Sequence, residues 1–225
     1  MHNKKLVHSI TPFTLLDYPN HPACILWFAG CNMKCSYCYN PEIVFGKGKY
    51  SLSEINFFLK SRKHLLDGVV LSGGECLLYP DVIPLMRELK AMGYLIKIDT
   101  NGSMPIRLKQ LIEVGLVDYV ALDFKAPLQK TQWITRADFY HSFLACLNLL
   151  QETRIPFEVR TTVHSNLLDD KDLKQQIQVL ERHGYSGNYY IQSFRNGVKT
   201  LTELPHSVNR DYSGLSTKAI QLVMR

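Results

Sequence analysis

The chain has 225 residues, 46% of them hydrophobic and 20% charged, an ordinary globular balance with enough apolar material for a sizeable core. Its net charge of +6 is scattered in short clusters such as "NKK" and "KSRKH", which reads as a solvated surface and not as a nucleic-acid footprint. No run of about 18 apolar residues occurs, so no membrane span is expected, and "MHNKKLVHSITPFTLLDYPN" lacks the apolar h-region and small-residue cleavage site of a secretory leader.

In chain order, "ACILWF" (Ala23 to Phe28) reads as the first strand and runs straight into a cysteine-rich loop. "SLSE" at Ser51 to Glu54 is a capping-box pattern, and Leu52, Ile55, Phe58 and Leu59 mark one face of the helix it opens. "FGKGKYS" lacks the spacing of a phosphate loop and reads as a surface turn. "GVVLSGGE" is a buried strand ending in a glycine turn, and Val82, Leu85, Met86 and Leu89 stripe a helix that stops near Gly93. "YLIKIDTNG" is the third strand, followed by a short helix with Leu108, Leu111 and Ile112 inward. "YVALDFKAP" is the fourth, closed by Pro127. Asp138 is the expected N-cap of the helix striped by Phe139, Phe143, Leu147 and Leu150. "PFEVRTTVH" is the fifth strand, and Leu173, Ile177 and Leu180 mark a helix ended by Gly184. "NYYIQSF" is the sixth strand, and a last short helix is expected over Ser216 to Met224.

Six β–α repeats at intervals of roughly 25–40 residues imply parallel strands joined by right-handed crossovers. Six are too few for a closed eight-fold barrel. The expected fold is therefore α/β, an open partial barrel with a parallel sheet and outer helices. It is read as one domain over 1–225, with a core at about 17–194 and a C-terminal extension at 195–225. Polar groups gather where strands end: the cysteine loop, "GGE", "DTN", "DFK", "RTT" and "IQSF". In parallel α/β folds those ends form the ligand-binding rim.

Of six cysteines, Cys31, Cys35 and Cys38 are bunched as C-x3-C-x2-C, whereas Cys24, Cys76 and Cys146 are isolated. Bunching without a leader points to metal binding in a reducing cytoplasm. Structural zinc closes with four ligands; Cys24, Cys76 or a histidine could supply a fourth, so zinc stays open. Three thiolates suit a cubane iron–sulfur cluster with one iron left to a non-protein ligand. Cys24 and Cys146 read as small core residues.

The cysteine motif, the following Asn40-Pro41 and "SGGE" at Ser72 to Glu75 resemble the radical S-adenosylmethionine (SAM) superfamily. The resemblance implies a partial (β/α)6 barrel, a [4Fe–4S] cluster on Cys31, Cys35 and Cys38, and SAM chelating the open iron through its amino and carboxylate groups. It covers about Asp17 to Phe194, and "LDYPNHPACILWFAGCNMKCSYCYNPEI", "DTNG" and "LDFK" are similar to activating enzymes of glycyl radical enzymes, most of all the activase of anaerobic ribonucleoside-triphosphate reductase. The chain departs from that pattern with Tyr39, where His is common, and with Cys76, which sets a thiol near the expected mouth.

The resemblance assigns Tyr37 and the neighbourhood of Tyr39 to the adenine, and Gly73, Gly74 and Glu75 to the methionyl amine. Glycines there let the backbone approach a ligand closely. Asp99, Thr100 and Asn101 end the third strand; Asp123 and Lys125 share a face at the end of the fourth. Lys125 suits the ligand's carboxylate, and an aspartate suits ribose hydroxyls or a small cation; the resemblance to glycyl-radical activases implies a monovalent one near these aspartates. A buried Asp–Lys pair that only stabilises the fold is the competing reading. Arg160 and Gln192 are candidates for the nucleoside or carboxylate, or Arg160 bridges strand carboxylates.

The implied chemistry is reductive cleavage of SAM, fed by flavodoxin or ferredoxin, and hydrogen abstraction from a glycine Cα of a partner protein, anaerobic ribonucleotide reductase being favoured. The short chain after the sixth strand agrees with a protein substrate. The competing readings are a small-molecule radical enzyme such as 7-carboxy-7-deazaguanine synthase, and a non-catalytic zinc or iron–sulfur module that senses redox state.

Overall fold

The computed structural model describes residues 5–225; the first four residues, part of the segment read as lacking a leader, lie outside the described residues. Contacts divide the chain into two compact units: Met1–Asn32, Asn40–Thr100 and Ile106–Val120 form the first, and Met33–Tyr39, Asn101–Pro105 and Ala121–Arg225 the second.

The first unit holds strands β1 (Lys5–Thr14), β2 (Ala23–Phe28), β3 (Tyr50–Ser51), β4 (Gly68–Gly73) and β5 (Leu95–Thr100), in the order β3-β1-β2-β4-β5. β1 runs antiparallel to β2 and β3, while β2, β4 and β5 are mutually parallel, with Ile25 opposite Val70 and Val70 opposite Lys97. Helices α1 (Pro41–Val44), α2 (Leu52–Ser61), α3 (Val82–Ala91) and most of α4 (Pro105–Glu113) belong to it. The expected capping box forms: Ser51 Oγ accepts from Glu54 N at 3.3 Å, and Ser51 N donates to the Glu54 carboxylate at 2.7 Å. Ile55 and Leu59 bury the inner face of α2; Val82, Leu85, Met86 and Leu89 do so for α3. Tyr18 of "LDYP" packs with Ala23, Ile25 and Val70. A side chain at Gly68 would meet its ring at 2.7 Å, so both residues serve this packing.

β6 (Tyr119–Asp123) passes from the first unit into the second. The second unit continues with α5 (Leu128–Thr135), α6 (Tyr140–Glu152), β7 (Phe157–Val163), α7 (Asp170–Arg182), β8 (Gly187–Ser193) and β9 (Ile220–Met224), with β7, β8 and β9 parallel. Leu173, Ile177 and Leu180 are buried on α7, whose start is a capping box of Asp169 and Asp172. The α/β class and the six predicted strands are present.

Two expectations fail. The last segment is not a helix over Ser216 to Met224 but a 3-10 turn at Ser213–Leu215 and then β9, in which buried Ile220 and Leu222 flank exposed Gln221, a strand's two-residue period. Asp138 is not the cap of α6; Phe139 holds that position and makes no side-chain cap bond. β1, α1, β3 and α5 were not expected. Pro12 interrupts the strand pattern of β1, and its register shifts between Thr11 and Thr14, where a missing N–H is tolerated. Among the described residues no helix is long and apolar enough to cross a membrane.

Candidate functional site

In the first unit, β2 delivers the chain to Gly30 and Cys31. Gly30 turns in the left-handed region, at φ +80°. The "SGGE" turn is fastened to this strand end: Gly74 N donates to Phe28 O at 2.8 Å and Glu75 N to Gly30 O at 3.0 Å. A Cβ at Gly74 would lie 1.8 Å from Gly30 O, and one at Gly73 (φ +111°) 2.5 Å from Phe28 N. The space these glycines leave is filled by the protein's own backbone. Strand contact alone therefore requires glycine at both positions.

Glu75 is fully buried. Its carboxylate accepts from Thr100 Oγ1 at 3.1 and 3.0 Å and from Leu77 N at 3.1 Å, capping the short turn Cys76–Leu78. Asp99 Oδ1 pairs with Lys97 Nζ at 2.5 Å, and Oδ2 accepts from Ser72 Oγ at 3.0 Å. Lys97 is only 1% exposed. Sequence reasoning missed Lys97 and Ser72, although "LIKID" sets Lys97 two residues before Asp99 and hence on its face. Cys76 lies beside the end of β5. It is fully buried, its thiol 3.7 Å from Leu71 O and 3.8 Å from Asp99 O. Burial first, then the charges of Glu75 and Asp99, push that thiol well above its ordinary pKa. It is a packed group.

The second unit receives the motif's other two cysteines. Cys35 is buried and Cys38 half-buried, and Cys38 N closes a turn on Cys35 O at 3.0 Å. Tyr37 between them is 4% exposed, and its hydroxyl has no hydrogen-bond partner. Burial drives the Tyr37 phenol well above its usual pKa; Lys125 opposes this, and Cys35, Asp123 and Cys38 add to it. The unit thus brings Tyr37, both thiols, Asp123 and Lys125 within electrostatic reach of one another.

Asp123 is the centre of that group. Lys125 Nζ donates to its Oδ2 at 2.9 Å and Arg160 Nε to its Oδ1 at 2.5 Å. Burial alone would raise the Asp123 pKa, but the Arg160 and Lys125 charges outweigh it and hold the carboxyl below its ordinary range. Burial lowers Lys125, and Asp123, helped by Tyr37 and Cys35, more than reverses that, raising it. Arg160 also lies 4.0 Å from Glu158, itself held by Arg225 at 3.0 Å. Arg160 does bridge strand carboxylates, one of its two expected roles.

Gln192 is half-buried and accepts from Thr162 Oγ1 at 3.4 Å. Asn101 folds its Oδ1 onto Ser103 N at 2.9 Å. Tyr39 stacks on Phe194 at 5.5 Å between centroids, and its hydroxyl accepts from Arg195 N at 2.7 Å, so it is engaged by the chain after β8. A cavity of about 10 Å3, room for one water, is lined by Met33, Asn101, Asp123, Lys125 and Tyr140 among others.

No cysteine is in a disulfide. Among the described residues no set of three His, Cys, Asp or Glu side chains is gathered closely enough for a single metal ion. A cubane spreads its thiolates over separate irons, so its ligands stand further apart than those of one ion. The donor chemistry fits such a cluster: three soft thiols in one short loop, none in a disulfide. The buried Tyr37 hydroxyl and the further donors of Lys125 fit a polar, carboxylate-bearing ligand.

The profile of the Radical SAM superfamily matches residues 25–180. A Methanocaldococcus jannaschii protein with the provisional name of a glycyl-radical enzyme activating enzyme is 32% identical over 76% of this chain and 73% of its own length. The pyruvate formate-lyase-activating enzyme of Clostridium pasteurianum is 32% identical over 53% of this chain and 52% of its own. A 7-carboxy-7-deazaguanine synthase of Halobacterium salinarum is 29% identical over 61% of this chain and 56% of its own. The chain thus spans little more than half the length of the last two. Among solved structures, Streptococcus suis SuiB shares the fold, with a TM-score of 0.67 at 11% identity over 88% of this chain and 47% of that one.

Proposed function

We propose, from the premise that the chain belongs to the radical SAM superfamily, that it is a glycyl-radical-enzyme activating enzyme. Membership implies a [4Fe–4S] cluster and SAM. When bound and reduced, the cluster supplies the electron that splits the S–C5′ bond of SAM. The observation that carries the reading is the C-x3-C-x2-C run after β2, its thiols outside any disulfide, in a chain 32% identical over most of its length to a relative named for this activity.

Cys31, Cys35 and Cys38 are the cluster ligands. Tyr37 offers its hydroxyl to the nucleoside, and Lys125, oriented by Asp123, meets the SAM carboxylate. Glu75 and Thr100, with Gly73 and Gly74, are assigned to the methionyl amine, and Asn101, Arg160 and Gln192 to the nucleoside. Asp99 acts through Lys97 and Ser72. A monovalent cation would compete with Lys97 for Asp99 and with Lys125 and Arg160 for Asp123, so the proposal carries none. The partner favoured is anaerobic ribonucleoside-triphosphate reductase, the electron donor flavodoxin or ferredoxin, and the compartment the cytoplasm, whose reducing poise suits six thiols outside disulfides.

A small-molecule reading is favoured by one observation, the likeness to 7-carboxy-7-deazaguanine synthase, over a smaller share of the chain. Anaerobic reconstitution followed by reductant, SAM and the reductase separates the readings. The expected result is methionine and 5′-deoxyadenosine with a glycyl doublet in electron paramagnetic resonance. Deoxyadenosine without a doublet rejects this partner, and neither product from an intact cluster rejects the activity.

A further inference from the structure

The segment after β8 forms a closed loop with a pinned neck. Asn196 and Ser207, eleven positions apart, exchange two bonds: Asn196 Nδ2 to Ser207 O at 2.9 Å and Ser207 N to Asn196 Oδ1 at 2.8 Å. Ser165 N adds a bond to Ser207 Oγ at 3.0 Å. His164 Nδ1 accepts from Asn166 N at 3.1 Å, which leaves Nε2 protonated to donate to Pro205 O at 2.9 Å. Compact loops of this kind, roughly 6–16 residues with joined ends, hold their shape without regular structure.

The rim of this loop is hydrogen-bonded to the cysteine loop. Leu201 N donates to Cys38 O at 2.9 Å and Thr202 N to Ser36 O at 3.1 Å. The opposite side of the cysteine loop is held by the end of α5: Ser36 N donates to Ile134 O at 3.0 Å and Lys34 N to Thr135 O at 2.8 Å. Ser36 is therefore gripped from both sides, and Cys35 and Cys38 flank it. Phe194, at the root of the loop, stacks on Tyr39 and meets the edge of His164 at 4.5 Å.

We propose that the loop over residues 196–207 is a clamp that sets the pose of the Cys35 and Cys38 thiolates, with the backbone N–H groups of Leu201 and Thr202 as its positioning groups. The inference rests on the reading of these cysteines as cluster ligands. A clamp that favours the liganded pose must by reciprocity be tightened by the cluster.

Two measurements test it. Amide hydrogen exchange is compared between cluster-loaded and cluster-free protein; exchange at Leu201 and Thr202 is expected to slow on loading. In parallel, cluster release to an iron chelator is timed in Leu201→Pro and Thr202→Pro, which remove the N–H, and in Leu201→Ala and Thr202→Ala, which keep it. Release is expected to accelerate about fivefold per lost bond in the proline variants, with a changed paramagnetic resonance spectrum of the reduced cluster, and to stay at the wild-type rate in the alanine variants. Asn196→Ala, which opens the neck, is expected to accelerate release should a proline variant fail to fold. Exchange unaffected by loading, or folded proline variants that release and resonate as wild type, would overturn the clamp. A wild-type chain that takes up no cluster would instead overturn the ligand reading beneath it.

Discussion

Arg160 Nε stands 2.5 Å from Asp123 Oδ1 while Lys125 holds Oδ2 at 2.9 Å, so one carboxylate is set between two cations. The side chains of Asp123, Lys125 and Arg160 are 17%, 22% and 14% exposed, so these charges interact with little solvent screening. Asp123→Asn leaves two poorly solvated cations without their anion and is expected to destabilise the protein by about 3 kcal/mol in chemical denaturation.

The same carboxylate gives a pH dependence. Its folded pKa lies below its usual value, so its stabilisation is complete above the unfolded pKa of about 3.9. It is lost as pH falls through the lower folded value. Denaturation from pH 6 downward should therefore show a steep acid limb in wild type and a shallower one in Asp123→Asn. Equal limbs would remove Asp123 from the account.

Gly74→Ala drives a methyl into the Gly30 carbonyl, a clash of backbone with backbone that no rotamer relieves. A loss of roughly 4 kcal/mol or failure to fold is expected. Gly93, at φ +89° with nothing within 4 Å of its would-be Cβ, is the comparison. Gly93→Ala should lose only about 1–2 kcal/mol, the strain of the left-handed region. Thermal or denaturant unfolding of the two variants measures the difference.

Elements with a strong local signal were legible in the sequence. Ala23–Phe28 is an unbroken apolar run, and its strand begins and ends where the residues say. The α3 stripe is fully buried as spaced. α5 was not legible, because "LQKTQWIT" is mostly polar and only Thr131, Ile134 and Thr135 are buried. β9 was misread since five residues cannot separate the two periods, and its partner strand is chosen by tertiary pairing. At the candidate site, residue types were readable but their engagement was not. Lys97 on Asp99 could have been read from their two-residue spacing, whereas Thr100 under Glu75 and Leu201 on Cys38 are contacts whose geometry no local pattern encodes.

Thiol reactivity should divide the six cysteines. Cys24, pushed up to about 12 chiefly by burial, together with the buried Cys76 and Cys146, should resist alkylation in the folded, cluster-free protein. Half-buried Cys31 and Cys38 should react first. Peptide mapping after timed iodoacetamide treatment checks the order, and early labelling of Cys76 would contradict its place under the Glu75 turn.

The central claim is that three of the six thiols hold an iron–sulfur cluster that serves SAM cleavage. The most direct measurement is iron and acid-labile sulfide content, with methionine release, for wild type and single alanine variants reconstituted anaerobically. Loss of cluster and methionine in Cys31→Ala, Cys35→Ala and Cys38→Ala, with both retained in Cys76→Ala, is the predicted result. A cluster that survives without one of the three, or stoichiometric zinc with no methionine in wild type, would contradict the account.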